Sequence, residues 1–193
     1  MTSRREGVAE LLESVTGASL VLMDQPSDVS YTPGVTPQPT PEEREALMRA
    51  HGIPPEMFDR MGPFGVSPLA AKMGIVFQEL TADLLVATMP VAGNEQNAGL
   101  LHGGAHLVLG ETLGSVAAVL HAQEKFGERR PAVGIEIGAS HQRAAASGTV
   151  TGTCTPIHRG RTLTTHEIVV TDEAGRRLST IRMTNMILDR PSS

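Results

Sequence analysis

The sequence has no tryptophan, a single cysteine, and few aromatic residues, with four Phe and one Tyr among 193 residues. Without a Trp or a second cysteine to pair with Cys154, an immunoglobulin-type sandwich is excluded. One cysteine also excludes an intramolecular disulfide and an all-cysteine metal site. With so few aromatic rings, stacking platforms for single-stranded nucleic acid are not expected.

Charge and hydropathy argue against a nucleic-acid-binding protein and a membrane protein. The net charge is -5 with no basic block, so no nucleic-acid partner is expected. No apolar run approaches the roughly twenty residues of a membrane span, and the acidic residues near the start argue against a signal peptide. Apolar residues make up 40% of the chain, which is enough for a packed core. We therefore expect a cytoplasmic protein that binds neither nucleic acid nor a membrane.

The beginning of the chain is predicted to be an N-terminal extension of short helices and a proline-rich arm. Residues 1–24 show helical spacing, and residues 25–41 contain five prolines, a density that favours an extended arm. Thr40 followed by Pro41 predicts a capped helix over 41–50. A shorter helical piece is expected around 55–61. We assign residues 1–65 to this extension.

Residues 66–190 are predicted to form one α+β domain. Strand-like runs occur at 73–80, 83–90, 131–142, 147–157, 161–171 and 176–188. The helix predicted over 104–123 is apolar almost all round, which indicates that it is buried. Its small residues would let an antiparallel sheet wrap closely around it.

Glu111 lies in the middle of this apolar helix. A carboxylate there costs several kcal/mol unless it is hydrogen-bonded or faces a pocket. Because the helix has almost no other polar residue that would define a solvated face, a functional carboxylate is favoured over an exposed one.

The start of the same helix, His102-Gly103-Gly104, offers free N–H groups at the positive end of a helix dipole. Such amides stabilise developing negative charge, as in an oxyanion hole. Glu111 lies roughly 10–12 Å further along the axis, too far to touch the same atom. The spacing therefore predicts a site that is shared between subunits.

Asn97-Ala-Gly-Leu-Leu-His-Gly-Gly-Ala, followed by Leu109-Gly-Glu-Thr-Leu-Gly-Ser, resembles the hotdog-fold acyl-CoA thioesterases of the PaaI-like branch. This branch includes the 1,4-dihydroxy-2-naphthoyl-CoA, enterobactin proofreading and Arthrobacter-type 4-hydroxybenzoyl-CoA thioesterases. The resemblance covers about residues 66–189 and includes Val133-Gly-Ile-Glu-Ile, Ser140-His-Gln-Arg and Pro156-Ile-His-Arg-Gly. It implies a hotdog fold and hydrolysis of an acyl-CoA, with an aromatic or medium-chain acyl group, to the free acid and CoA.

The resemblance also implies roles for matching residues. Glu111 would act as nucleophile or general base, and Gly103 would supply the amide that polarises the thioester carbonyl. Gln96 and His102 would help to hold the thioester or water, and Ser115 would contact the acyl group or position water. Arginines suit the phosphates of CoA. The candidates for substrate or CoA binding are Gly104, Thr112, His141, Arg143, His158, Arg159, Arg161 and Thr162.

Neither a metal nor a cofactor is expected. His102 and His106 stand four residues apart, as metal ligands on a helix would, but no third ligand lies nearby. CoA is part of the substrate. The resemblance implies a homo-oligomer, at least a dimer and expected to be a homotetramer, with active sites at the subunit interface. The extension lies outside the resemblance, and we expect it to drape over a neighbouring subunit or to trim the acyl pocket.

Two other functions stay open at the level of sequence. A hotdog hydratase or dehydratase also carries a carboxylate on its central helix, but it usually has a His-Phe-Pro-Gly loop where this chain has Leu101-His-Gly-Gly. A non-catalytic acyl-CoA-binding module would not need Glu111 at the thioester. A thiol-release assay on a panel of acyl-CoAs separates these functions.

Overall fold

The computed structural model describes residues 37–128 and 130–189. The helix predicted over 1–24 and most of the proline-rich arm lie outside the described residues. Before the sheet, the chain forms α1 (Pro41–Ala50), a 3₁₀ helix (Pro55–Arg60) and α2 (Pro68–Lys72). The first two were predicted and are confirmed, whereas α2 was not predicted.

A capping box starts α1, as the sequence predicts. The Thr40 hydroxyl accepts a hydrogen bond from the Glu43 N–H at 3.2 Å, and the Glu43 carboxylate accepts one from the Thr40 N–H at 2.9 Å. Each side chain thus satisfies a backbone donor that the helix leaves free. α2 begins in a similar way, with a hydroxyl residue as N-cap followed by proline: Ser67 caps the helix and Pro68 is its first residue.

Six strands and one long helix complete the fold. In chain order they are β1 (Val76–Leu80), β2 (Leu85–Pro90), α3 (Gly103–Phe126), β3 (Ala132–His141), β4 (Thr149–Arg159), β5 (Leu163–Thr171) and β6 (Arg177–Ile187). This is the order of elements that the sequence predicts. The strands form one antiparallel sheet in the spatial order β1-β2-β4-β5-β6-β3. The chain crosses from β2 to the opposite edge of the sheet through α3, which packs against β2, β3, β4, β5 and β6.

Glycines set the distance between α3 and the sheet. A Cβ atom added at Gly110 would come within 2.9 Å of Ile181 on β6, and one added at Gly114 within 2.5 Å of Met183. Leu109, next to Gly110 on the helix, is fully buried. The small residues therefore allow the close wrapping that the sequence predicts.

By length and composition α3 meets the requirement for a membrane span, which the sequence analysis did not expect. Half of its most apolar window is buried inside the protein, and the core helix of a sheet meets the same requirement. Its apolar character is accounted for by the sheet that surrounds it.

β3 is not a regular strand. A bulge lies between Gly134 and Glu136 in the pairing with β6. β3 is an edge strand, and the side chains of Val133 and Ile135 are 43% and 50% exposed. A free edge with exposed aliphatic residues is a surface that another chain can cover.

The end of the extension packs on the domain. Met48, Ile53 and Phe58 are buried in the same hydrophobic cluster as Phe77 of β1. His51 strengthens this contact, because its carbonyl accepts a hydrogen bond from the Phe77 N–H at 2.9 Å. The unit that contains the sheet begins at Gln38, and the domain boundary placed between residues 65 and 66 stays a prediction.

Candidate active site

Glu111 lies about a third of the way along α3, partly buried, at the wall of a cavity of about 490 Å³. Its Oε1 accepts a hydrogen bond from the Ser115 hydroxyl, one helical turn further on, at 3.4 Å. Strand β3 approaches from the side, since a Cβ added at Gly134 would come within 2.8 Å of Oε1 and 3.4 Å of Oε2. The carboxylate is thus held between a hydroxyl and a strand that only glycine allows so close.

The cavity beside Glu111 is mainly apolar. Its lining comes from the extension, β1, β3 and α3, and includes Met61, Val66, Phe77, Leu107, Val108, Thr112, Ser115, Val116 and Ile137. The Thr112 hydroxyl donates a hydrogen bond to the Val108 carbonyl of the same helix at 2.8 Å. A chamber lined in this way is suited to an apolar group attached to a reacting centre at Glu111.

A second cavity, of about 280 Å³, borders the first at Ser115 and Val116 and continues along α3 to Leu120. Segment 60–68 lines its other side, and Met61 and Val66 border both cavities. The end of the extension therefore contributes to the walls of the space next to Glu111.

The start of α3 carries the amide predicted to act as an oxyanion donor. His102 is the N-cap residue, and its Nδ1 accepts a hydrogen bond from the Gly104 N–H at 2.8 Å. The His102 carbonyl accepts from the next two amides, those of Ala105 and His106. Among the described residues, the Gly103 N–H has no partner. Gly103 is therefore the first-turn donor that remains for a ligand, and a substrate contact by Gly104 stays a prediction.

His141, at the end of β3, packs against this helix start. Its Nε2 lies 3.1 Å from the position of a Cβ added at Gly103. Its Nδ1 lies 3.0 Å from the Ser179 hydroxyl, which donates to the Ser140 carbonyl at 3.2 Å. Ser179 thus anchors the His141 ring with its Nε2 side towards Gly103.

His106 lies next to His141, with ring centroids 5.1 Å apart. Burial, and secondarily the charge of His141, lowers the pKa of His106 to about 4. His106 is therefore neutral at pH 7.

The loop before α3 is held by Asn94, which the sequence analysis did not single out. Its side chain donates to the Met73 and Pro90 carbonyls at 3.0 and 2.9 Å, and its own carbonyl accepts from the His102 N–H. Within this loop, Gln96 Oε1 accepts a hydrogen bond from the Ala98 N–H at 2.8 Å. Asn94 thus ties the end of β2 to the helix start.

Gly103 and Glu111 do not meet within one chain. Eight residues of helix place them roughly 12 Å apart along the axis. The β3 residues that contact them are also far apart. His141, beside Gly103, pairs with Ser179 near the start of β6, whereas Gly134, beside Glu111, pairs with Asn185 near the end of β6. Within one chain the candidate residues therefore form two separate groups, and a site shared between subunits stays a prediction.

We call these the amide half-site, formed by Gln96, His102, Gly103 and His141, and the carboxylate half-site, formed by Glu111, Ser115 and Gly134. The first is built around free backbone and loop groups. The second is built around a carboxylate at an apolar cavity.

The residues predicted to bind CoA lie at two ends of the sheet. His158, Arg159, Arg161 and Thr162 are at the turn between β4 and β5, near the end of β6, whereas Arg143 donates to the Arg177 carbonyl at the start of β6. The length of β6 places these ends about 30 Å apart. Arg143 and the turn can therefore serve one CoA only if they come from different chains.

Two of these arginines already have neighbours. Arg159 pairs with Asp83 at 2.7 Å, and the Arg161 guanidinium lies 5.9 Å from the centre of the Phe126 ring. A phosphate would thus compete with Asp83 for Arg159.

Other chemistries find little support in the described part of the chain. Within it, no group of three or more His, Cys, Asp or Glu residues is placed to hold a metal ion. Cys154 is buried, and burial raises the pKa of its thiol to about 12. A thiol with such a pKa is not a nucleophile at neutral pH.

Sequence reasoning missed two residues at the carboxylate half-site. Gly134 was quoted in a motif but given no role. Asn185 is fully buried on β6, and its Nδ2 donates to Ser115 Oγ at 3.4 Å. The available signal was an amide side chain on a strand face that it shares with Ile181, Met183 and Ile187.

An antiparallel sheet wrapped around one long central helix defines a protein of the hotdog fold. The family model described as Thioesterase superfamily matches residues 98–179. The chain is 47% identical over 124 residues to the proofreading thioesterase EntH of Cronobacter sakazakii, covering 64% of this chain and 88% of that protein. The chain belongs to the thioesterase superfamily.

Solved structures agree with this assignment. A mutant thioesterase from Pseudomonas aeruginosa superposes with a TM-score of 0.59 at 34% identity, covering 63% of this chain and 86% of that one. The PaaI protein of Escherichia coli, at 20% identity and a TM-score of 0.56, covers 63% and 84% and shows the shared fold. The resemblance to PaaI-like hotdog thioesterases is confirmed, and the protein is a thioester hydrolase.

Proposed function

We propose that this thioesterase hydrolyses acyl-CoA thioesters to the free acid and CoA, with Glu111 as the catalytic carboxylate. The observation that carries the proposal is the position of Glu111, a carboxylate at the wall of an apolar cavity with one oxygen bound by Ser115. The acyl group would occupy the cavity, which would leave the thioester carbonyl at its Glu111 end.

Two groups are enough for the chemistry, because a thioester is already activated. Glu111 attacks the carbonyl carbon to form an anhydride that water then cleaves, or it removes a proton from the water that attacks. In both routes the carbonyl oxygen becomes negatively charged and the CoA sulfur leaves. The free Gly103 amide, at the positive end of α3, would stabilise that charge.

We infer that each active site combines the amide half-site of one chain with the carboxylate half-site of another. The roughly 12 Å between Gly103 and Glu111 supports this arrangement. The exposed edge strand β3 supports it too, because a second chain would cover Val133 and Ile135. The protein would then be at least a dimer, and a homotetramer is the assembly predicted from the sequence.

The acyl group is proposed to be aromatic or of medium chain length. The two adjoining cavities extend from Glu111 to Leu120, nine residues or about 13 Å along α3. Their walls offer Phe77, Phe64 and aliphatic side chains as contacts. Such a surface favours an apolar acyl group over a charged one.

The test compares Glu111→Gln with wild type on aromatic and straight-chain acyl-CoAs, by release of free CoA thiol. Glutamine keeps the shape of the side chain but can neither attack nor accept a proton, so kcat should fall about a thousandfold. Glu136→Gln, which changes an exposed carboxylate on β3, is the matched control and should keep the wild-type rate. Wild-type inactivity on every thioester, or a Glu111→Gln variant as fast as wild type, contradicts the proposal.

A further inference from the structure

A short polar track leads from β6 to the candidate catalytic carboxylate. Asn185 is fully buried beneath α3, and its Nδ2 lies 3.4 Å from Ser115 Oγ. Ser115 Oγ lies in turn 3.4 Å from Glu111 Oε1. On the same face of β6, Met183 and Ile187 are buried aliphatic neighbours. Its partner across the sheet, Thr164 on β5, is also a buried polar residue, but the Asn185 amide is the group directed at the hydroxyl that touches Glu111.

The chemistry of the three groups fixes the direction of the hydrogen bonds. An amide NH₂ only donates, and an ionised carboxylate only accepts. Ser115 must therefore accept from Asn185, and its single proton is left for Glu111.

Ser115 also has an alternative partner inside its own helix. A serine or threonine in a helix can donate to the carbonyl four residues earlier. Thr112, on the same helix, does this with Val108 at 2.8 Å. The corresponding acceptor for Ser115 is the carbonyl of Glu111 rather than its carboxylate. The contact with Asn185 favours the rotamer in which the hydroxyl reaches the carboxylate.

We infer that Asn185 is a positioning residue that acts through Ser115 to orient the Glu111 carboxylate. Oε1 is held between Ser115 and the backbone of Gly134, while Oε2 lies further from that strand. Oε2 is then the oxygen left to attack the thioester or to take a proton from water. This inference rests on the catalytic role proposed for Glu111.

Stability does not explain why an asparagine stands at this position. Its Oδ1 is buried and has no hydrogen-bond partner among the described residues. An unsatisfied buried polar atom destabilises the folded state. Leucine, similar in volume, would suit the neighbouring aliphatic side chains better. A residue that lowers stability and contacts the site is expected to serve function.

The first test is Asn185→Leu, measured by thiol release and thermal unfolding. We expect kcat to fall about tenfold, KM to stay at the wild-type value and Tm to be equal or higher. Asn185→Ala is a second variant with the same expected loss of kcat, should leucine not fit. Thr184→Val is the matched control, because Thr184 is the next residue on β6 and its hydroxyl lies 3.3 Å from that of Thr165 rather than near α3. It should keep the wild-type kcat.

The second test combines the change with Ser115→Ala. If Asn185 acts through Ser115, Asn185→Leu should lower kcat no further in the Ser115→Ala background. Losses that multiply, or a wild-type kcat in Asn185→Leu and Asn185→Ala, would overturn the inference. The Glu111→Gln variant separates the two hypotheses. A thousandfold loss of kcat in that variant with no loss in the position 185 variants contradicts only the positioning role of Asn185. A fully active Glu111→Gln variant contradicts both that role and the catalytic role of Glu111.

Discussion

The amide half-site and the carboxylate half-site of this thioesterase are positioned by different means. The amide half-site depends on the backbone: the first turn of α3 leaves the Gly103 N–H free, and His102 caps the next amide. The carboxylate half-site depends on side chains, with Glu111 held by Ser115, which is in turn held by Asn185. A backbone donor tolerates many side-chain changes, whereas a chain of side-chain contacts is broken by one.

The difference also determines which substitutions are informative. At the amide half-site, the group to remove is an N–H, and only proline removes it. At the carboxylate half-site, the orientation of Glu111 can be changed by added volume at a neighbouring glycine. Removal of the N–H therefore tests the amide half-site, and added volume at a glycine tests the carboxylate half-site.

Of the three comparisons that follow, the largest effect is expected from Gly103→Pro. Gly103 is the first helical residue of α3, a position that favours proline. His102 before it has φ -64° and ψ 135°, a conformation that proline accepts in its predecessor. The helix should form while the oxyanion donor is lost, and kcat should fall about a hundredfold or more, as measured by thiol release.

Gly103→Ala is the matched control for this change. It keeps the N–H, and like proline it places a Cβ about 3.1 Å from His141 Nε2. Its kcat should stay within a few-fold of wild type. If alanine and proline lower kcat equally, crowding of His141 explains the loss and the amide has no special role.

A smaller effect is expected from Gly134→Ala. The new Cβ would lie 2.8 Å from Glu111 Oε1 and 2.9 Å from Met183, so the carboxylate must turn or β3 must move. We expect a fall in kcat of about tenfold with little change in KM, because a displaced catalytic group weakens the transition state more than substrate binding.

Gly138→Ala, on the same strand, is the control. Its Cβ meets only Glu136 at 3.5 Å, an ordinary contact, and kcat should be unchanged. Equal rates for the two alanine variants would show that Glu111 does not need its close approach to β3.

The smallest effect is a loss of folding stability at acid pH. It is attributed to two buried histidines, one near each end of α3. His106 lies near the start of α3 beside His141, and His166 lies near its end. Burial lowers the pKa of both to about 4, with contributions from His141 for His106 and from His121 and Arg159 for His166. The unfolded chain therefore takes up protons first as the pH falls. Stability should fall from about pH 6.5 and level off below about pH 4.

His166→Leu tests this assignment. Both ring nitrogens of His166 lack partners among the described residues, so the variant should be no less stable than wild type at pH 7. Between pH 7 and pH 5, the contribution of His166 should lower the wild-type free energy of unfolding by about 2 kcal/mol, and the variant should not show this loss. Urea unfolding at both pH values, at one protein concentration, measures the difference. Equal acid sensitivity of variant and wild type would show that His166 is not held neutral.

The fold could be predicted from the sequence because its signals are local, and the proposed amide half-site was placed from a local signal too. Alternating strands, an apolar helix and the capping box at Thr40 each lie within a short stretch of chain. The separation of Gly103 from Glu111 follows from helical geometry alone. These predictions needed no knowledge of which strands would become neighbours.

Other features could not be predicted because they depend on contacts between distant parts of the chain. Asn185 meets Ser115 across 70 residues, and Gly134 reaches Glu111 through a bulge in an edge strand. The separation of Arg143 from Arg159 likewise depends on the pairing of their strands with opposite ends of β6. The resemblance pointed to Ser115, Arg143 and Arg159, but strand register decides which residues become their neighbours.

The most direct test of the two-chain active site mixes two impaired variants. Glu111→Gln retains the amide half-site, and Gly103→Pro retains the carboxylate half-site. A mixed dimer would contain one site with both halves intact, so random reassociation should restore about a quarter of the wild-type activity. Mixed oligomers, verified by capture through a tag on one variant, that stay as inactive as their parents would contradict a site built from two chains.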